Sequence, residues 1–332
     1  MYRPILRPRR GELTALHHLE TAFAGRVTPI FELEPGGDLL RLIRERRPPT
    51  SAIAVDFRAA ADAPDPLESP LLDLAEALAD HGVPLIPVIR PYDSRRRLVE
   101  HGLAARMHLH RAILRLQPHR DATNPTAADA ILRRCLTGSD LEVERVDLLI
   151  DLAETACVAD ADIVEERARR VIRWARTLPW RSVSVASGAM PPNLDDLPTD
   201  RAVAVGRLDA RLWGRLREPA VGYADYGVTS PVRRHGVAFH RQLPTLRYTS
   251  DGHWWIYRWA RRGSRSDDRC QDLCRTLVGS PQWPAEGARF SWGDAEIARR
   301  ARTARGAGSS AGWMAWSTSH HIAHVLRALT PR

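Results

Sequence analysis

Lysine is missing from the 332 residues: all 49 basic positions are arginine, set against 40 carboxylates, for a formal charge of +9 and a pI near 10.2. A GC-rich coding bias explains this more simply than selection for phosphate contacts, although the planar guanidinium fork suits phosphate. The charge therefore permits a nucleotide or nucleic-acid partner without establishing one. Cysteine is also scarce, and Cys135, Cys157, Cys270 and Cys274 lack zinc-type pairing, Cys270-x-x-x-Cys274 having helical spacing. They read as buried thiols in a reducing compartment. No apolar run approaches the roughly 18 residues of a membrane span, and MYRPILRPRRGE at the start lacks the apolar core of a secretory signal. A soluble cytoplasmic protein without membrane contact is expected. A glycine-rich phosphate loop after the first apolar run is absent, which argues against a dinucleotide-binding sheet. So are a G-x-S-x-G elbow and a cysteine nucleophile with a placed histidine.

What is present supports a full core, since 44% of the residues are hydrophobic. From residue 27 short apolar runs alternate with stretches of helical period, the pattern of βα units around a parallel sheet. Strands are expected at 27–33, 52–57, 83–90, 111–117, 146–152, 181–187, 220–225 and 245–249. Helices are expected at 37–46, 68–81, 94–106, 126–136, 160–177 and 207–217. Eight strands interleaved with helices over about 250 residues fit a (β/α)8 TIM-like barrel, with an open doubly wound sheet as the alternative. Eight of the ten tryptophans follow residue 200. There HWWIYRWA forms a hairpin with TLRYT across Ser250-Asp251-Gly252, helices follow at 266–279 and 292–304, 305–313 is a flexible loop, and a last helix starts near Ser319. The expected organisation is a single domain, 1–332, with the barrel at 1–250 and a hairpin and helices at 251–332.

Working residues of such a barrel sit at the carboxy ends of its strands. The expected strand ends carry Glu32, Asp56, Arg90, Arg115, Asp151, Asp225 and Arg247. Strand parity places Arg90 on one face with Ile86 and Val88, and Asp151 with Asp147 and Leu149. Such a ring could hold an anion while one acid acts as a base or metal ligand. The plainer alternative is a salt-bridge network that closes the barrel end. In Asp225-Tyr226-Gly227 the glycine permits a sharp turn that leaves acid and phenol exposed on the rim, or simply ends a strand. Arg247, Tyr248 and Arg258 lie on facing strands beside Trp254 and Trp255, suiting stacked bases or plain packing. His320 and His324 have chelating spacing, but no zincin glutamate accompanies them.

The residues YRPILRPRRGELTAL, VTPIFEL, VDLLIDL, ADYGVTSP, LRYTSDGHWWIYR, FSWGD and TSHH resemble the Beta protein family over nearly the whole chain. Tyr2, Pro4, Gly11 and Glu12 match its opening motif, Arg7 and Arg9 stand where lysines are usual, and Ser319 replaces the asparagine of T-N-H-H. The family occurs in phages and bacteria, so the resemblance implies a role in phage–host conflict. Its motifs coincide with Glu32, Asp151, Asp225, Tyr226, Arg247, Tyr248, Arg258, His320 and His321. Together these readings predict an enzyme that processes a phosphate-bearing substrate by acid–base or divalent-metal chemistry. Arg90, Arg115, Arg247, Tyr248 and Arg258 would bind the anion, and Glu32, Asp151, Asp225, Tyr226, His320 and His321 would act on it. The alternative is a non-catalytic component binding nucleic acid, a phage protein or a partner encoded nearby. An enzyme of this kind needs Glu32, Asp151, Asp225, Arg247 and a late histidine to converge on one pocket.

Overall fold

The computed structural model describes residues 1–34, 38–57, 68–122, 124–155, 161–217, 221–232, 243–260, 267–303 and 308–330. Its strands are β1 Tyr2–Leu6, β2 Ile30–Leu33, β3 Ile53–Phe57, β4 Leu85–Ile89, β5 Ala112–Leu116, β6 Val146–Glu154, β7 Ser182–Gly188, β8 Arg201–Gly206, β9 Val221–Asp225, β10 Thr245–Ser250 and β11 His253–Arg258. Its helices are α1 Arg10–His17, α2 Thr21–Ala24, α3 Leu39–Glu45, α4 Pro70–Asp80, α5 Arg95–Met107, α6 Pro125–Ser139, α7 Ala161–Ala175, α8 Leu208–Leu216, α9 Asp267–Val278, α10 Trp292–Arg302 and α11 Ser310–Ala328. Strands β1 to β7 and β9 close an eight-stranded parallel barrel, and β8, β10 and β11 form a separate antiparallel sheet. The fold is the expected TIM-like barrel with a carboxy-terminal hairpin and helices.

Three strands differ from expectation, one being β8, for which no strand is expected at 201–206. Tyr2–Leu6 supplies the first barrel strand, while 245–249 leaves the barrel and pairs with β11. The opening run was obscured because Arg3 and Pro4 interrupt it. Arg3 is nonetheless buried inside the barrel, where its guanidinium reaches Ser184, Asp147 at 3.1 Å and Ser182 at 2.9 Å, all on distant strands. Another difference is α11, which starts at Ser310 rather than Ser319. The Ser309 hydroxyl accepts from the Gly312 amide as an N-cap, and burial of Trp313 and Trp316 offsets the low helix propensity of glycine. Cys157 and part of the expected 305–313 loop lie outside the described residues.

The barrel interior is layered by strand parity. Arg3, Asp147, Ser182 and Ser184 close its amino-terminal end. An apolar layer follows, including Ile5, Ile30, Ile86, Val88, Ile113 and Leu149. One step further along the same inward face come Glu32, Asp56, Arg90, Arg115, Asp151 and Tyr226. The antiparallel sheet lies over this end. Register puts Arg247, Trp254, Ile256 and Arg258 on one of its faces and Leu246, Tyr248, Trp255 and Tyr257 on the other. The second face carries the apolar core shared with α9, α10 and α11, and the start of α11 continues past the sheet to the barrel mouth. The hairpin turns at Asp251-Gly252 as expected, with Gly252 at φ +75°.

Candidate anion-binding cleft

The expected site residues divide into three buried networks and one cleft. The first network plugs the barrel. Arg90 clasps Asp56 with Nε and Nη2 at 2.7 and 2.6 Å, and Arg115 Nη1 donates to Asp56 at 2.5 Å and to Glu32 at 2.9 Å. Arg115 Nε and Nη2 donate to Asp151 at 3.0 and 2.8 Å, and the Tyr226 hydroxyl donates to the other Asp151 oxygen at 2.8 Å. Burial alone would raise the pKa of both aspartates, but the guanidiniums of Arg90 and Arg115 outweigh it for Asp56, and Arg115 does so for Asp151. Both are held below the ordinary carboxylate range. A carboxylate kept ionised in this way is a weak proton acceptor.

Asp225 belongs to the second network. It points outward from β9 and not onto an exposed rim, because parity turns only Tyr226 inward and Gly227, at φ +58°, folds the chain over both. One of its oxygens accepts from the Tyr2 hydroxyl at 2.7 Å and the Gly227 amide at 2.9 Å; the other lies 2.8 Å from His321 Nε2. His321 Nδ1 is 2.8 Å from the Thr249 hydroxyl. The third network, on the far face of the sheet, joins the Tyr248 hydroxyl to Asp294 at 2.6 Å and His320 Nδ1 to Asp294 at 2.9 Å, while His320 Nε2 donates to the Thr249 carbonyl at 2.8 Å. The ring nitrogens of His320 thus join α11 to α10 and the sheet, and those of His321 join it to the sheet and barrel. Among the described residues no group of three His, Cys, Asp or Glu is placed to hold a metal ion.

Glu32, Asp151, Asp225, Arg247 and the late histidines therefore do not meet in one pocket. Arg247 and Arg258 instead face a cleft of about 720 Å³ over the carboxy-terminal end of the barrel. Its walls come from the segments after β1, β7 and β9, the near face of the sheet and the start of α11. Five arginines, Arg7, Arg9, Arg10, Arg247 and Arg258, line it with two acids, Glu12 and Asp195. Arg258 is tied to Asp195 and to the carbonyls of Asp195 and Leu197. Among the described residues, Arg247 Nη1 meets the sulfur of Met314 at 3.6 Å and its buried Nε has no hydrogen-bond partner. Burial lowers the pKa of Arg247 to about 10, with Glu12 acting in the opposite direction, so it stays charged at neutral pH.

The Beta protein family model matches residues 2–327. The chain belongs to the Beta protein family. No curated protein matches it. Among solved structures, the crystal structure of AQ1208 from Aquifex aeolicus overlaps it at a TM-score of 0.38 and 13% identity, covering 60% of this chain and 46% of that one. The chain thus spans about half of that protein, and an overlap so slight bears on neither fold nor function. Among the described residues of this Beta family member no helix is long and apolar enough to cross a membrane.

Strand-end reasoning missed Glu12, Arg7 and Arg9, because the strand that delivers them, β1, was not recognised. The available signal was the opening motif, where Gly11-Glu12 follows two basic positions. Glu12 is 1% exposed and neither carboxyl oxygen has a hydrogen-bond partner. Burial raises its pKa to about 7, against the opposing pull of Arg9, then of its own backbone amide, and more weakly of Arg7 and Arg247.

Proposed function

We propose that this Beta family member binds a phosphate-bearing substrate, a nucleotide or a nucleic-acid end, in the arginine-lined cleft and processes it there. One observation carries this reading: four arginines from three segments, Arg7 and Arg9 after β1, Arg247 on β10 and Arg258 on β11, converge on a single concavity with two acids among its described lining residues. Tetrahedral oxyanions match guanidinium geometry. By fold analogy alone, the carboxy-terminal end of a TIM-like barrel is also where substrates are held. The chemistry then belongs to cleft groups and not to Asp151, Asp225, His320 or His321, whose hydrogen bonds are committed to holding the fold together. A divalent metal would enter with the substrate's phosphates. A role in phage–host conflict is the biological setting the family resemblance suggests for this activity.

The non-catalytic alternative relied on tryptophans offering a stacking surface. Trp254, Trp259, Trp313 and Trp316 are buried, which favours packing for them. A thermal-unfolding screen of nucleoside mono- and triphosphates and short oligonucleotides, with and without magnesium, tests the proposal on the wild type and Arg247→Met. A true ligand at 100 times its Kd stabilises the native state by about 2.7 kcal/mol, and that gain should vanish in the variant. Absence of a shift with every phosphate compound would end the reading; a shift that Arg247→Met retains would move the site elsewhere.

A further inference from the structure

Glu12 poses a problem of charge. A carboxyl group with both oxygens buried and without hydrogen-bond partners lies in the wall of a cleft whose other lining charges are mostly positive. Unpartnered buried polar groups are costly and rare, and a native chain retains them where they serve something other than stability. Arg247 Nε, in the same wall, is a second such group. Gly11 explains how Glu12 is kept in place: a Cβ there would lie 2.8 Å from the Ala311 carbonyl oxygen and 2.9 Å from Met314 Cβ, so α1 rides directly on α11.

We propose that the cleft takes up a proton at Glu12 when it takes up a dianionic tetrahedral oxyanion of the phosphate class, so that binding is linked to protonation of a residue that need not touch the ligand. This rests on the cleft being the ligand site, as argued above. An ionised Glu12 lies among the guanidiniums an anion would use and repels that anion; the neutral acid leaves their full charge available. Repulsion between like charges in a partly desolvated cleft is worth on the order of tenfold or more in affinity. The ordinary carboxyl would be ionised throughout the physiological range, whereas burial here raises the pKa to about 7 and places the change of charge within it.

The groups facing Glu12 are few. Arg7 and Arg9 come from the segment after β1, Arg247 comes from β10, and the cleft-lining residues of α11 near Gly11, Ala311 and Met314, carry no titratable side chain. Asp195 lies in the same cleft but is paired with Arg258. No histidine lines the cleft among the described residues. Among the described residues of the cleft, Glu12 is thus the group positioned to produce a pH effect near neutrality.

The test uses sulfate, whose charge does not change across the range, titrated calorimetrically into the whole protein at pH 5.5, 7.0 and 8.5 at constant ionic strength. Wild type should lose about tenfold or more in affinity between pH 5.5 and 8.5. Buffers of different ionisation enthalpy should reveal uptake of up to one proton per sulfate near pH 7.5. Glu12→Gln, neutral at every pH, should bind with little pH dependence and at least as tightly at pH 8.5. Because proton uptake is measured on the wild type, the test survives any folding defect in the variant. Arg247-dependent sulfate binding with no proton uptake, or an unchanged pH slope in folded Glu12→Gln, would overturn the linkage and leave the cleft reading standing. No sulfate binding at any pH would overturn both.

Discussion

Arg115 shows how one side chain can decide what a cluster of charges is for. Its guanidinium touches Glu32, Asp56, Asp151 and Tyr226 at once, from strands on different sides of the barrel. Three carboxylates share two guanidiniums there, and removing the central one leaves buried negative charge without compensation. Arg115→Met should therefore destabilise the protein by about 3–5 kcal/mol, the usual cost of breaking a buried pair from one side, as read from urea unfolding. Folded-state pKa values of Asp56 and Asp151 lie below their ordinary values. Their contribution to stability is thus fully present above roughly pH 4, the unfolded carboxyl value, and is lost as pH falls through the depressed folded values. In the variant the depression at Asp151 is largely lost, while that at Asp56, still clasped by Arg90, is reduced. The gap between wild type and Arg115→Met should be widest above about pH 5 and narrow under acid; a gap independent of pH would mean that the arginine acts by packing.

At the level of elements, periodicity disclosed most of what is local. The helices ending near residues 80, 107 and 175 and seven of the barrel strands follow from apolar period, caps and turn residues. What stayed hidden depended on partners remote in sequence. Tyr2–Leu6 contains a charge that only Asp147, 144 residues away, makes tolerable inside a barrel, and β10 has the composition of a barrel strand but is claimed by β11 across a two-residue turn. For the same reason parity could place Arg90 and Asp151 on the inward face without disclosing what they touch, since parity gives direction and says nothing about partners. The α1–α11 crossing, likewise non-local, makes its own prediction. Gly11→Ala cannot be accommodated by a side-chain rotation, because the nearest atom is the Ala311 backbone oxygen at 2.8 Å. Overpacking of this kind costs about 1–3 kcal/mol and, by displacing Glu12, should also change the pH dependence of anion binding. Gly25→Ala, where nothing lies within 4 Å, is the control and should change the urea midpoint little. Equal effects at the two glycines would show that backbone entropy, not the helix contact, is what matters.

On the scale of the whole molecule, the charge of +9 does two separable things. Part of the arginine content is internal: Arg3, Arg90, Arg115 and Arg207 are buried, and each lies within ion-pair distance of an aspartate. The rest leaves a net positive charge of the kind that favours non-specific association with polyanions outside the cleft. Composition could not separate these because coding bias and phosphate recognition predict the same letter. Salt can. Association of oligonucleotides with the general surface should weaken steeply, with a log–log slope of about −0.7 for each single-strand phosphate neutralised, and Arg247→Met, which removes one charge of many, should scarcely alter it. A mononucleotide or sulfate held in the cleft should show a shallow salt slope and lose its binding in the same variant. Measured by fluorescence anisotropy between about 50 and 300 mM salt, the two ligand classes should therefore respond oppositely to salt and to Arg247→Met. Oligonucleotide binding that disappears in the variant and is insensitive to salt would mean that the nucleic-acid end itself is read in the cleft, and that the surface charge contributes little to the affinity.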